Sequence, residues 1–216
     1  MRRYRPEDLP DRLALFPLAG ALLLPRTRLP LNVFEPRYLA MLDDVLATRE
    51  RLIGIIQPRT DAAPSAAEPL HAVGCAGRLT AFSEAADGRV LISLWGIARF
   101  RLRGAAPAEG GYLIGEVDWS GFDDLAPPRP DPGLDRAALI GRVRRFAERL
   151  ELRIETGDLE ETADETLINV LSMALPLGAE DRQALLEAPD LPARRRLLEA
   201  LIDFAVLEGE NTPSLQ

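Results

Sequence analysis

Four prolines stand within the stretch 127–132, near the middle of a chain of 216 residues. Because proline lacks a backbone N–H and fixes φ, neither a helix nor the inside of a sheet continues through such a stretch. Short apolar runs separated by turn residues precede it, and apolar residues at helical spacing follow it. We therefore predict two domains, a β-rich domain over 1–126 and a helical bundle over 127–216.

The first part carries the pattern of a mainly antiparallel β domain. An Asp-Gly pair at 87–88 predicts a hairpin, and glycines at 74 and 77 predict a bulge or bend within a long strand. Pro36 begins a helix predicted over 36–48. These elements favour a partly closed β-barrel with one packed helix, and the whole chain is assigned to the α+β class. Strands are predicted at 13–18, 29–34, 52–57, 71–83, 89–94, 97–103 and 112–119.

The second part has the 3.6-residue periodicity of amphipathic helices. Asp190 is a plausible N-cap for the last of them, with a proline in its first turn. Four helical segments in so short a stretch predict a compact bundle. The other three segments are predicted at 135–155, 162–174 and 180–187.

The charged residues exclude several chemistries. All 26 basic residues are arginine, so a Walker A phosphate loop, a lysine Schiff base and a Ser-Lys dyad are impossible within this sequence. One histidine and one cysteine cannot build the usual zinc site. We therefore expect no enzyme, no metal and no cofactor. The net charge of −8 disfavours nucleic acid as a partner.

His71 and Cys75, the one histidine and the one cysteine of the sequence, could suggest a nucleophile and its base. Residues four positions apart on a strand lie roughly 13 Å from each other, so these two side chains are beyond hydrogen-bond distance. We interpret them as a surface histidine and a buried small thiol. The single cysteine fits a reducing cytoplasm, and no apolar run is long enough to cross a membrane. The expected location is therefore cytoplasmic.

An arginine stripe on the first C-terminal helix is one candidate binding surface. Arg142, Arg145 and Arg149 follow the helical period beside its apolar face, and Arg153 continues the stripe. Arginine offers planar bidentate donors suited to carboxylates, so the stripe could dock an acidic partner. The alternative, which we favour, is pairing with the acidic segment 158–161.

A run of leucines gives a second candidate. Leu22, Leu23 and Leu24 lie in a region that otherwise reads as a turn, and an open position would let them hold an apolar or extended peptide. Burial within the β domain is the favoured alternative.

The sequence resembles the N-terminal, substrate-binding domain of Lon proteases. The most specific match is Phe34-Glu35-Pro36-Arg37-Tyr38, with further matches in order along nearly the whole chain. The matching runs lie at 15–18, 24–38, 73–79, 87–89, 96–100, 169–173 and 183–187.

The resemblance implies a barrel-like β domain followed by a helical bundle. It also implies recognition of unfolded or hydrophobic polypeptide, as an adaptor or accessory factor in protein quality control, with a protease or chaperone component as a further candidate partner. We expect a stand-alone member that lacks the ATPase and Ser-Lys protease domains. The alternative is an RNA-binding small barrel.

The Phe-Glu-Pro-Arg-Tyr motif also has a structural interpretation. Glu35 stands at a strand-to-helix junction, where a carboxylate could accept backbone N–H groups. Arg99 on a later strand could form a partly buried pair with Glu35 that maintains the fold.

Overall fold

The computed structural model describes residues 4–59, 69–86, 88–152 and 162–210. Its contacts divide the chain into two compact units. The first unit contains residues 1–127 together with 176–187, and the second contains 128–175 together with 188–216. The chain therefore leaves the first unit, returns to it for one short segment, and leaves it again.

Six strands form the mixed sheet of the first unit. The strand order is β2-β5-β4-β3-β1-β6, and β5 also pairs with β6, so five strands close into a ring with β2 outside it. The ring is not a regular barrel, since β1 and β3 are parallel while the remaining pairs are antiparallel. The α+β class is confirmed. The strands are β1 (Arg12–Pro17), β2 (Arg28–Val33), β3 (Leu52–Ile56), β4 (Val73–Glu84), β5 (Val90–Pro107) and β6 (Leu113–Asp118).

One prediction about the strands is wrong. The segments 89–94 and 97–103 are a single strand, β5, which runs through Gly96. A Cβ built on Gly96 would lie 2.0 Å from the carbonyl oxygen of Leu24. The glycine therefore permits a close approach of the backbone rather than ending the strand. The predicted irregularity in β4 is confirmed, with register shifts at Ala76/Gly77 and again further along.

Helix α1 (Pro36–Ala47) begins where the sequence predicts, with Pro36 in its first turn. Glu35 is its N-cap residue, and the Glu35 carbonyl accepts from the backbone N–H groups of Tyr38 and Leu39. The Glu35 side chain makes no capping bond, so the predicted capping role of that carboxylate is wrong. The buried ring of Tyr38 packs on Phe16 with centroids 4.2 Å apart, which holds α1 on β1.

The interior of the ring is filled by aliphatic side chains and one large aromatic ring. Phe100 is fully buried, and its ring lies where a side chain at Gly74 or Gly54 would project. Small residues on β3 and β4 thus make room for one large residue on β5. The main cluster of buried residues contains Tyr4, Leu9, Leu13, Leu15, Leu52, Ile56, Ala76, Phe100, Leu113 and Val117.

Helix α4 (Ala179–Glu187) belongs to the first unit. The sequence predicts this segment as part of the C-terminal bundle, but its buried Gln183 forms a hydrogen bond to the sheet. The Gln183 amide donates to the carbonyl of Val73, and the Gln57 amide donates to Gln183 Oε1 and to the carbonyl of Ala179. The periodicity of a short helix does not reveal which unit covers it. The two-domain division at residue 126 stays a prediction.

The second unit contains α2 (Arg136–Arg149), α3 (Asp164–Ala174) and α5 (Leu191–Glu210). Side-chain caps begin α2 and α5: Asp135 accepts from the Ala138 N–H, and Asp190 accepts from the Ala193 N–H, as predicted for the latter. Helix α2 ends earlier than predicted, at Arg149. The buried apolar side chains of this unit include Leu139, Val143, Phe146, Leu167, Ile168, Leu171, Leu198 and Ile202.

Candidate functional site

The predicted leucine site is not open. Leu22, Leu23 and Leu24 are at most 2% exposed. Leu23 and Leu24 pack against β4 and β5, where Gly77 and Gly96 leave space for them. The prediction that these three leucines hold a peptide is therefore corrected: the folded unit already covers them, as the favoured alternative stated.

The arginines of the predicted stripe do not share one environment. Arg142 forms an ion pair with Asp203 of α5, whereas Arg145 and Arg149 are exposed. The Arg142 pairing raises the pKa of that guanidinium, chiefly through the hydrogen bond to Asp203. Arg153 and the acidic segment 158–161 lie outside the described residues. Arg142 is thus a link between two helices of the second unit, and docking by the other two arginines stays a prediction.

The predicted pair between Glu35 and Arg99 is wrong. Glu35 instead pairs with Arg37, at 2.8 Å between carboxylate oxygen and guanidinium nitrogen. Arg99 is buried and forms a bidentate pair with Asp124, through Nε at 2.9 Å and Nη2 at 2.8 Å. Its Nη1 donates to the carbonyl of Leu186 in α4, and its guanidinium lies 4.0 Å from the centre of the Phe122 ring. Asp124 is a much better ion-pair partner for Arg99 than Glu35, because the Asp124 carboxylate is buried beside the guanidinium.

His71 and Cys75 have separate environments, as predicted. Cys75 is fully buried on β4, and the His71 imidazole is 4.0 Å from the Glu180 carboxylate. Among the described residues, no group of three or more His, Cys, Asp or Glu side chains could hold a metal ion.

The run Arg194-Arg195-Arg196, the densest basic stretch of the sequence, is mostly internal. Arg194 is buried and donates to the amide oxygen of Asn169 at 2.7 Å. Arg195 is buried and donates to Asp131 at 2.7 Å, an arrangement that raises the pKa of Arg195, chiefly through that hydrogen bond. These two arginines hold the second unit together and are not available to a nucleic-acid backbone.

The end of the sheet formed by β2, the first part of β5 and the last part of β4 exposes large apolar side chains. We call this region the apolar sheet end and define it by Phe34, Phe82 and Leu91, which are 63%, 54% and 53% exposed. Leu91 pairs in register with Asn32 of β2 and with Ser83 of β4, and Phe82 pairs with Ile92. Phe34 directly follows β2, so three adjoining strands contribute to one region.

The two faces of this sheet end are both apolar. Neighbouring residues on a strand point to opposite faces. Since Phe82 is in register with Ile92, it lies on the opposite face from Leu91. Consecutive apolar residues close to the turn of a hairpin were the available sequence signal, because neighbouring residues of a strand project from opposite faces and so make both faces apolar.

The outer strand β2 is poorly suited to pairing with another strand. It lies at one end of the strand order, and its residues Arg28, Pro30 and Asn32 are exposed. Pro30 has no N–H to donate, and a charged side chain and a proline are common devices against edge-to-edge pairing. Side chains rather than the backbone of β2 are therefore the available contacts at this end.

Comparisons with known proteins agree with this architecture. The family model described as the ATP-dependent protease La (LON) substrate-binding domain matches residues 12–203. The chain belongs to the Lon substrate-binding domain family. The match includes the Phe-Glu-Pro-Arg-Tyr motif and both units, and it concerns this domain, not the protease or ATPase domains.

Curated relatives are much longer proteins. The chain is 27% identical over 191 residues to Lon protease 2 of Syntrophobacter fumaroxidans, covering 87% of this chain and 24% of that protein. It is 29% identical over 213 residues to Lon protease 2 of Sorangium cellulosum, covering 93% of this chain and 25% of that protein. The chain thus spans about a quarter of the length of these relatives.

Solved structures of Lon N-terminal domains share the fold. A Lon N-terminal domain protein from Xanthomonas campestris has a TM-score of 0.62 at 27% identity, covering 89% of this chain and 98% of that one. The N-terminal domain of Mycobacterium avium complex Lon protease has the same TM-score at 17% identity, which supports the fold alone. No helix among the described residues of this Lon-type domain is long and apolar enough to cross a membrane.

Proposed function

We propose that this Lon-type domain binds unfolded or hydrophobic polypeptide segments, without ATP, through the apolar sheet end. The observation that carries the proposal is the exposure of Phe34, Phe82 and Leu91 on adjoining strands of a domain whose family is described as substrate-binding. Exposed large apolar side chains that lie close together are a usual mark of an interaction surface, and here they project from both faces of one sheet end. The same binding would serve an adaptor or accessory factor in protein quality control.

The contacts support weak binding. Full burial of a large apolar side chain contributes roughly 1.5–3 kcal/mol. These three side chains are already about half covered, so each would add about 1 kcal/mol, or roughly a fivefold change in Kd. Even a peptide that covered all three side chains would gain only about 3 kcal/mol from them, which by itself corresponds to a Kd of several millimolar. The high micromolar binding that we expect therefore requires further contacts by the peptide, because ordering a flexible peptide also costs free energy.

The test is fluorescence anisotropy with a panel of unfolded peptides that differ in apolar content. We expect binding to increase with apolar content and to fall about fivefold for Phe82→Ser and again for Leu91→Ser. Phe204→Ser is the matched control, since Phe204 is similarly exposed at 59% but lies in the second unit. Absence of binding across the panel at high micromolar concentration would refute the proposal, and equal losses in all three variants would refute the assigned surface.

A further inference from the structure

A concave region of the first unit is lined by none of the residues that define the apolar sheet end. It is a cavity of about 260 Å³ between α1, the start of β3 and the neighbouring strands β1 and β6. Pockets for drug-sized ligands run to roughly 300–1,000 Å³. This cavity is therefore of a size to receive one side chain rather than a whole small molecule.

The walls of the cavity are aliphatic. Leu13, Val45, Leu52 and Ile114 line it, and each belongs to a different element of the unit. Such walls suit the methylene stem of a long side chain, because apolar surface on both partners is then removed from water.

Acidic groups line the same cavity. Asp44 on α1 and Glu50 after α1 contribute two carboxylates, and Arg12 contributes one guanidinium. Within the described ranges, neither Asp44 nor Glu50 forms an ion pair with an arginine, although the chain contains 26 of them. The charge facing the cavity is thus net negative, in a chain whose overall charge is −8.

Tyr112 orients one of these carboxylates. The buried phenol donates to Asp44 Oδ2 at 2.7 Å, which leaves the other carboxylate oxygen, Oδ1, without a described partner. Burial, and then the hydrogen bond to Asp44, raise the pKa of Tyr112 to about 12. The phenol therefore remains a donor at neutral pH, and the Asp44 carboxylate is held in a fixed position at the cavity.

We propose that this cavity binds the side chain of an arginine or lysine residue in a bound polypeptide. The aliphatic walls would take the stem, and the Asp44 and Glu50 carboxylates would accept hydrogen bonds from the cationic group. The proposal rests on the proposed polypeptide-binding function and adds a requirement to it, since a substrate segment would combine apolar residues with a basic one. Charge-assisted hydrogen bonds of this type are stronger than neutral ones.

Two matched peptides test the proposal. One unfolded apolar peptide contains a single arginine, and the other contains citrulline, an uncharged isostere, at the same position. Anisotropy titrations should give a Kd about three- to tenfold lower for the arginine peptide, with the preference decreasing as salt is added. The preference should be lost in the Asp44→Asn, Glu50→Gln double variant.

Asp43→Asn is the control for the Asp44 substitution, because it removes one negative charge from the neighbouring, exposed position on α1, which does not line the cavity. The arginine preference should persist in that variant. Equal binding of the two peptides would overturn the cavity proposal and leave the proposed function standing. An arginine preference that survives in the double variant would also overturn it, because the cation would then bind elsewhere.

A second measurement does not depend on polypeptide binding. N-acetylarginine amide, titrated at millimolar concentration, should shift the methyl resonances of Leu52 and Ile114, and N-acetylcitrulline amide should not. If the peptides fail to bind while the arginine amide shifts these methyl groups, the proposed function fails and the cavity stands. If neither amide shifts them, the cavity proposal is overturned.

Discussion

The buried pair between Arg99 and Asp124 gives the sharpest prediction about stability. Asp124→Ala removes the acceptor for the Arg99 backbone N–H, Nε and Nη2, all of which lie 2.8–2.9 Å from the carboxylate. The side chains are only 4% and 8% exposed, so water cannot replace the lost carboxylate without opening the unit. Removing one partner of such a pair typically costs about 3–5 kcal/mol, since the other charge remains buried.

Urea unfolding, monitored by tryptophan fluorescence, measures this loss of stability in the first compact unit. Both tryptophans, Trp95 and Trp119, belong to the first unit, so the signal is insensitive to the helices of the second. With a denaturant dependence of about 2 kcal/mol per molar urea, the midpoint should fall by about 2 M. Glu7→Gln is the control: its pair with Arg5 is highly exposed, and its loss should cost less than about 1 kcal/mol.

The double variant Arg99→Met, Asp124→Leu tests the reason for the cost. Replacing a buried pair by apolar residues of similar size is often neutral or stabilising, so this variant should be more stable than Asp124→Ala. A midpoint for Asp124→Ala that matches the Glu7→Gln control would refute the reasoning. A double variant less stable than Asp124→Ala would show instead that the hydrogen bonds of Arg99, not its uncompensated charge, dominate.

Three further predictions concern single residues. Gly96→Ala should destabilise the first unit by about 3 kcal/mol in the same urea assay, because its Cβ would clash with the Leu24 carbonyl, whereas Gly104→Ala, which meets nothing within 4 Å, should cost less than about 1 kcal/mol. Stability should fall as the pH rises from 10 to 12, since the pKa of Tyr112 is about 12 in the folded unit and 10 for the ordinary phenol; Tyr112→Phe should reduce this fall, and an unchanged pH profile would contradict it. The thiol of Cys75 should react with a thiol reagent only after unfolding, because it is fully buried, and rapid reaction in native buffer would refute that burial.

Local signals predicted much of the fold. Pro36 marks the start of α1, the predicted hairpin joins β4 and β5 as antiparallel neighbours, and Asp190 caps α5. Each of these features depends on the backbone preferences of a few neighbouring residues. The family resemblance then identified how such elements assemble, which periodicity alone does not determine.

The remaining features depend on residues distant in sequence. The sequence predicted Glu35 as the acid partner of Arg99, and only the folded sheet shows that Asp124 lies beside Arg99 instead. The length of β5 was missed because Gly96 serves a tertiary contact with Leu24. Burial also depends on residues distant in sequence. Leu22, Leu23 and Leu24 are covered by the folded unit, whereas Phe82 and Leu91, which lie in ordinary strand patterns, are exposed.

Helix α4 has a consequence for the order of folding. Its Gln183 and the carbonyl of Leu186 complete bonds to Val73, Gln57 and Arg99, which lie about 90–125 residues earlier in the chain. At a synthesis rate of about 5–20 residues per second, roughly 3–12 s separate the emergence of residue 127 from that of residue 187. During that interval Nη1 of Arg99 and the amide of Gln57 lack the acceptors that α4 supplies, although Asp124 already pairs with the rest of the Arg99 guanidinium. The first unit therefore cannot complete its polar interior by folding alone from its N-terminal part, and a fragment cut at residue 127 would retain that defect permanently.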